Sequence, residues 1–293
     1  MRSFLECVPC FFQQALRAAG EAELDEAQTR RLVVELGQHL ESLDFDAPPP
    51  VNGRFLYRRV AELSGRPDPY AEAKRRHTEL ALGLLPRLRG WVDDAKDALD
   101  AAARIAAAGN ILDLGAMSSI DDLDAVLDRA LNSNHDPWHI AALAERVQAA
   151  EEILVLGDNA GEAVFDRVLL ETLRRLRPEA RLVFSVRGGP IINDATEADA
   201  KAAGVDSAAT LISTGSDIPG VVLDEVAPEL RAVFDRADLV ISKGQGNLET
   251  LHPAPREVFF ILTVKCRVVR EHLGVPRGAS VLLCSGPGGA PCR

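Results

Sequence analysis

The pattern of apolar residues changes at Glu152, and that change limits the fold more than any other feature of the chain. Before it, apolar side chains recur at helical spacing; after it, short apolar runs alternate with helical stretches. The runs are Ile153–Leu156, Leu182–Val186, Thr210–Ile212, Leu239–Ile241, Val258–Thr263 and Val281–Leu283. Strands this apolar must be covered on both faces, and strands that alternate with helices pair largely in parallel. Residues 151–293 are therefore expected to form a doubly wound, mostly parallel α/β domain, and residues 1–150 a helical domain.

In the helical half, Ser3 and Glu6 have capping-box spacing before a helix with Cys10, Phe11, Phe12 and Leu16, with Gly20 as its stop. A second helix is expected over Asp25–Leu43, and Ala47-Pro48-Pro49-Pro50 then forces a loop. Further helices are expected over Arg54–Leu63, Pro69–Leu88, Val92–Ala108, Ile120–Leu131 and Pro137–Ala149, and the tail Ser285–Arg293 is expected to fray.

Charge and composition exclude several classes. The chain carries 44 acidic against 33 basic residues, a net charge of −11, so neither nucleic acid nor an anionic membrane surface attracts it unspecifically. The longest apolar run, Val258–Val264, is far short of the roughly 20 residues that span a bilayer, and no basic-then-apolar leader opens the sequence. A cytoplasmic protein is expected. Five cysteines, an odd number in a chain long enough to bury its own core, make reduced thiols the expectation.

In doubly wound sheets ligands bind beyond the carboxyl ends of the strands. The first run ends in Gly157-Asp158-Asn159-Ala160-Gly161-Glu162, and the second in Arg187-Gly188-Gly189-Pro190 followed by Ile191-Ile192-Asn193-Asp194-Ala195-Thr196. The third ends in Ser213-Thr214-Gly215-Ser216-Asp217, the fourth in Ser242-Lys243-Gly244-Gln245-Gly246-Asn247, and the fifth runs into Lys265. Asp158, Asn159 and Asp194 offer hard oxygen donors from two adjacent loops. A divalent cation such as Mg²⁺ is held in this way, with positions left for water and phosphate. Glycines such as Gly244 let backbone N–H groups approach an anion, and the helix after Asn159 points its positive end into the same crevice. Lys243 and Lys265 complete a phosphate site.

Each member also has a plainer reading. Asp158-Asn159 and Asn193–Thr196 are ordinary turn and helix-cap sequences, and the two lysines can be solvated strand ends. Lysine supplies only five of the 33 basic residues, however, so two lysines at strand ends stand out. The conjunction favours a crevice for metal and phosphate.

Other motifs are weaker. Gly244-Gln245-Gly246 lacks the third glycine of a dinucleotide fingerprint, and neither a Walker lysine motif nor a G-x-S-x-G elbow occurs. The six histidines have no ligand spacing, and His39 and His77 read as helix residues. Ile111-Leu112-Asp113-Leu114-Gly115 is similar to the opening of S-adenosylmethionine methyltransferases but lacks their next glycines. Cys7-Val8-Pro9-Cys10 is a CxxC open to a structural, redox or metal role, with Cys266 as a candidate third partner. Soft thiolates are poor partners for Mg²⁺ and the oxygen-rich crevice already accounts for a catalytic ion, so the pair is expected to be structural.

With these pieces in place the chain resembles the metal-dependent damage-control phosphatases, long grouped as a domain of unknown function and also called ARMT1-like, and within them the CxxC-bearing microbial branch. The matching pieces are Cys7–Cys10, Asp68-Pro69-Tyr70 with Lys74, Ala108–Gly115, Gly157–Glu162, Asn193–Thr196, Lys243–Glu249 and Val264–Cys266, in family order across nearly the whole chain. His77 stands where the family pattern leads one to expect asparagine. The resemblance implies a helical amino-terminal domain packed on a Rossmann-like α/β/α domain. It further implies hydrolysis of phosphate monoesters of sugars or of small phosphorylated, damaged metabolites, using Mg²⁺, Mn²⁺, Co²⁺ or Ni²⁺. By the same resemblance Asp158, Asn159 and Asp194 bind the metal, Asp158 and Asp194 are catalytic, and Lys265 holds phosphate. Lys243, Gly244, Asn110 and Asp113 are crevice residues. Attack by water or by an aspartate is compatible with this set. Two other activities fit such a crevice: S-adenosylmethionine-dependent carboxyl methyl transfer, and binding of a phosphorylated metabolite without turnover.

Overall fold

The computed structural model describes residues 1–109 and 137–290. Asn110, Asp113 and the helix expected over Ile120–Leu131 lie outside the described residues.

Six strands form one sheet: β1 (Glu152–Leu156), β2 (Arg181–Val186), β3 (Thr210–Ser213), β4 (Leu239–Lys243), β5 (Val258–Thr263) and β6 (Ser280–Ser285). Their order is β3-β2-β1-β4-β5-β6, parallel except for β6, which joins β5 antiparallel. Leu154 of β1 stands opposite Val183 on one side and Val240 on the other. The strand order reverses on either side of β1, so the β1 and β4 loops part there and a crevice opens at their carboxyl ends.

The period-two alternation of β1 explains its lack of a polar face. Ile153 and Val155 enter one apolar cluster, whereas Leu154 and Leu156 enter the cluster on the opposite face. Three helices, α1 (Cys7–Glu21), α2 (Glu26–His39) and α3 (Pro49–Ser64), form a third cluster around Phe11, Leu32, Leu36 and Leu56, in which Ile191 is also buried. One sheet face is covered by α4 (Ala71–Asp94), α5 (Ala98–Ala108), α6 (Ile140–Ala149) and α7 (Glu162–Leu176). The short α8 (Glu197–Ala202) follows the β2 loop. The other face is covered by α9 (Pro228–Arg236), α10 (Gln245–Leu251) and α11 (Arg267–Leu273).

Several local expectations are corrected. Ser3 does not cap α1: its hydroxyl donates to Ala47 O at 2.8 Å and accepts from Asn52 Nδ2 at 2.9 Å, and Glu6 takes the N-cap without a side-chain bond. Pro49 and Pro50 begin α3 rather than prolonging a loop, because a fixed φ and a missing N–H suit a first helical turn. Helix α4 continues through Pro86 to Asp94, and the break falls where Asp97 accepts from the Leu99 and Asp100 amides. Past β6 the described residues up to Ala290 are not frayed, since Gly288 N donates to Ala254 O at 2.8 Å. Cys284 is disulfide-bonded, against the expectation of reduced thiols, whereas Cys7, Cys10 and Cys266 are free.

Candidate active site

The loops after β1 and β2 are laced together by their backbones. Ala195 N donates to Asp158 O (2.8 Å), Ala160 N to Asn193 O (2.9 Å) and Arg187 N to Ala195 O (2.9 Å). The lacing brings Asp158, Asn159 and Asp194 side by side at the point where the strand order reverses, all three buried. Asn247 of α10 ties in the β4 loop: its Nδ2 donates to Gly157 O (3.1 Å) and Lys243 O (2.7 Å), and its Oδ1 accepts from Arg187 Nη2 (3.0 Å). Gly244 turns this loop with φ +81°, and a Cβ there would lie 2.0 Å from Asp158 Oδ2. Glycine is required for that carboxylate to sit where it does.

The electrostatics of the crevice are unbalanced. Arg187 Nε donates to Asp194 Oδ2 at 2.5 Å, and its Nη2 lies 3.5 Å from Asp158 Oδ1. Asn159 Nδ2 donates to Glu162 Oε1 at 2.6 Å and to Asp158 Oδ2 at 3.2 Å. Lys243 Nζ donates to Asp166 Oδ1 at 2.6 Å and to Ala106 O at 2.8 Å, and lies 3.5 Å from Glu162 Oε2. Four buried carboxylates, Asp158, Glu162, Asp166 and Asp194, thus face two buried cations, Arg187 and Lys243. The carboxyl of Asp158 is pushed up to about 7 by burial and then by the like charge of Asp194. Burial pushes Glu162 up to about 8 against the pull of Lys243. Burial alone would lower the Lys243 ammonium, but Asp166 and Glu162 outweigh it and hold it above its ordinary value.

The buried carboxylates outnumber the buried cations among the described residues, with the half-buried Lys265 beside them, and the donors are two carboxylates and an amide, which suits a hard divalent cation. Among the described residues no three His, Cys, Asp or Glu side chains converge as a metal cluster. It is the oxygen donor set of Asp158, Asn159 and Asp194 that fits a cation of the Mg²⁺ type, which takes few protein ligands.

The other residues named from the sequence fall as follows. Lys265 is half-buried beside the crevice, where its charge lowers the Asp158 and Glu162 carboxyls, and its N–H donates to Gln245 Oε1 at 3.0 Å. Lys243 lies beneath the crevice, 1% exposed and held by Asp166. His77 of α4 packs on Gly161, whose Cβ would meet the His77 Cβ at 3.0 Å. Cys7 and Cys266 are near enough for their charges to interact, and burial pushes both thiols up. Cys10 Sγ accepts from Gln14 Nε2 at 2.9 Å, and Cys266 caps α11 by accepting from Val269 N at 3.4 Å. Sequence reasoning assigned no role to Arg187, Glu162, Asp166 or Asn247. Arg187 and Glu162 do stand at strand ends, which was the available signal.

Fold and site together define a doubly wound α/β protein with an acid-rich crevice at the carboxyl ends of its strands, and similarity to known proteins narrows the class. The model of the damage-control phosphatase ARMT1-like domain matches residues 3–281, and the chain belongs to that family of phosphatases. It is 33% identical over 285 residues to a damage-control phosphatase of Pyrococcus horikoshii, covering 97% of this chain and 98% of that protein. It is 35% identical over 244 residues to a damage-control phosphatase of Archaeoglobus fulgidus, covering 79% of this chain and 82% of the relative. The crystal structure of a DUF89-family protein from Pyrococcus horikoshii superposes with a TM-score of 0.89 at 33% identity, covering 96% of this chain and 98% of that one.

Proposed function

We propose that this phosphatase hydrolyses phosphate monoesters of sugars or of small phosphorylated, damaged metabolites with the help of Mg²⁺, Mn²⁺, Co²⁺ or Ni²⁺ held by Asp158, Asn159 and Asp194. The observation that carries the reading is the excess of buried carboxylate where the strand order reverses, with Asp158 pushed up to about 7 beside Asp194. A bound divalent cation supplies neutralisation of the charge that develops on the phosphoryl oxygens. Lys265 holds the remaining oxygens. Arg187 keeps Asp194 and Asp158 oriented through Nε and Nη2. Asp158 and Asp194 flank the reacting group, placed either to receive the proton of an attacking water or to attack phosphorus. Gly244 leaves room for Asp158, Lys243 supports the crevice from beneath, and Asn110 and Asp113 are assigned to its wall on the family resemblance.

The Cys7–Cys10 pair is proposed to be structural, since a half-buried Cys7 thiol pushed up by burial is a poor nucleophile and ligand. The boundary near residue 150 is proposed as one of function: the crevice side chains come mainly from residues 151–293, although one apolar core runs across it. Among the described residues no helix is long and apolar enough to cross a membrane, and the acidic composition supports a cytoplasmic enzyme that binds neither nucleic acid nor membrane. The test is a phosphatase screen over phosphorylated metabolites with each metal and with a chelator. Turnover that chelator abolishes supports the reading; turnover indifferent to chelator, or methyl transfer without metal, refutes it.

A further inference from the structure

The side-chain amide of Asn159 presents its NH₂ to two carboxylates. Its Nδ2 lies 2.6 Å from Glu162 Oε1 and 3.2 Å from Asp158 Oδ2. With a cation bound beside Asp158 and Lys243 beside Glu162 the two carboxyls are held ionised, and ionised carboxylate oxygens accept hydrogen bonds and do not donate, so the group facing them is the NH₂. Turned over, the amide would set its carbonyl oxygen against two negative oxygens. With Nδ2 engaged in this way, no described residue donates to Oδ1. An amide ligates a cation through its oxygen alone, so this orientation decides whether Asn159 is a ligand or an obstacle.

Glu162 is itself fixed in place. It occupies the first turn of α7 and is 2% exposed, with Lys243 Nζ 3.5 Å from its Oε2. Lys243 in turn is anchored on Asp166 Oδ1 at 2.6 Å and Ala106 O at 2.8 Å. A first-turn acid is favoured at any helix start by the dipole, but that role is served from the surface. It requires neither the burial of Glu162 nor its close approach to the Asn159 amide.

We propose that Glu162 is a positioning residue for the metal site: it holds the Asn159 amide with its carbonyl oxygen turned to the cation, while Lys243 and Asp166 hold Glu162. The inference rests on the reading of Asp158, Asn159 and Asp194 as metal ligands. In this role Glu162 touches neither metal nor phosphate, and Lys243 acts two contacts away from the ligand.

The test is Mn²⁺ binding by isothermal titration calorimetry, without any phosphate ester, on the full chain. Wild type is compared with Glu162→Leu, which has no acceptor for the Asn159 amide, with Asp158→Ala and with the exchange Asn159→Asp with Glu162→Gln, each first checked for a cooperative metal-free thermal transition. Glu162→Leu is expected to weaken Mn²⁺ binding about 10- to 100-fold, as loss of a ligand's supporting partner does. The exchange reverses the direction of the hydrogen bond, the new amide at position 162 donating to the new carboxylate at position 159, and leaves an oxygen facing the cation by either rotamer. It is expected to restore affinity to within about threefold of wild type, a recovery that a merely structural role for Glu162 does not produce. Glu162→Leu with wild-type affinity, or an exchange variant no better than Glu162→Leu, overturns the inference. Should Glu162→Leu lack a thermal transition, the exchange variant decides alone, by whether its affinity lies within about threefold of wild type. Wild-type affinity in Asp158→Ala would instead overturn the metal reading on which the inference stands.

Discussion

Replacing Lys243 by Met separates two roles that a strand-end lysine can have. As an open phosphate ligand it would be dispensable for stability, whereas the structure buries it to 1% exposure with its ammonium 2.6 Å from Asp166 Oδ1. Methionine has a similar length but donates nothing, so the variant leaves Asp166, fully buried, without its cation, and Ala106 O without its donor. Removing one partner of a buried ion pair costs about 3–5 kcal/mol. For a domain of this size 1 kcal/mol moves the thermal midpoint by roughly 2–4 °C, so a fall on the order of 10 °C is expected by differential scanning calorimetry. Converting Asp166 to Leu in the same chain removes the stranded charge and should recover part of that loss, a coupling a double-mutant cycle reads directly. A midpoint within about 2 °C of wild type, combined with a loss of roughly 100-fold in kcat/KM, would refute the buried-anchor assignment and return Lys243 to the phosphate.

Three further outcomes are expected. Gly244→Ala must move the Asp158 carboxylate, because the new Cβ would fall 2.0 Å from Oδ2, and kcat/KM should drop on the order of 100-fold, an ångström's misplacement sufficing for that; unchanged kinetics would place Asp158 outside the chemistry. Lys265→Ala should cost about one to two decades in kcat/KM, the equivalent of roughly 1.5–3 kcal/mol for a charge-assisted contact, and Lys265→Arg should not restore it; equal rates for all three side chains would remove Lys265 from the phosphate site. Without metal, Asp158 titrates at about 7 against 3.8 and Glu162 at about 8 against 4.5, so the folded chain binds more protons than the unfolded one across that window. Metal-free stability should therefore fall as pH rises from about 4 to 8, and a midpoint that rises over this range would contradict the buried carboxylate pair.

The sheet was legible because its strands carry apolar residues on both faces, and only a sheet covered on both faces requires that. What the pattern does not carry is which strands become neighbours. Asp158 and Asp194 were legible as candidates because each follows a strand, yet their convergence depends on β1 lying beside β2 and on the backbone lacing of Ala160 and Ala195. Arg187 escaped notice for a compositional reason: arginine supplies all but five of the 33 basic residues, so one more beside a strand reads as surface. Glu162 escaped because an acid in a first helical turn is ordinary, and only the folded chain shows it buried against the Asn159 amide. Lys243 was noticed as an unusual lysine but given the wrong neighbours. Its partner Asp166 is one helical turn beyond Glu162 on α7, a pairing that exists only once β4 lies beneath that helix.

The helical half of the chain does more than cover the sheet, because two of its contacts reach the loop that carries Asp194. Lys74 of α4, 2% exposed, lies 2.6 Å from Asp68 Oδ2 and 2.7 Å from Asp199 Oδ2. The same Asp199 oxygen accepts from Thr196 N at 2.9 Å and Thr196 Oγ1 at 2.6 Å, two residues beyond Asp194. On the other side of Asp194, Ile192 is held at φ +45°, a conformation that costs a β-branched residue on the order of 1–3 kcal/mol. Such a backbone persists only where packing overdetermines it, and Ile191 and Ile192 both pack into the cluster formed by α1, α2 and α3. The aspartate that completes the carboxylate pair is thus gripped from both sides by residues that the helical half supplies or buries. Loosening either grip should misplace Asp194 before it unfolds the sheet, since neither contact belongs to the strands themselves.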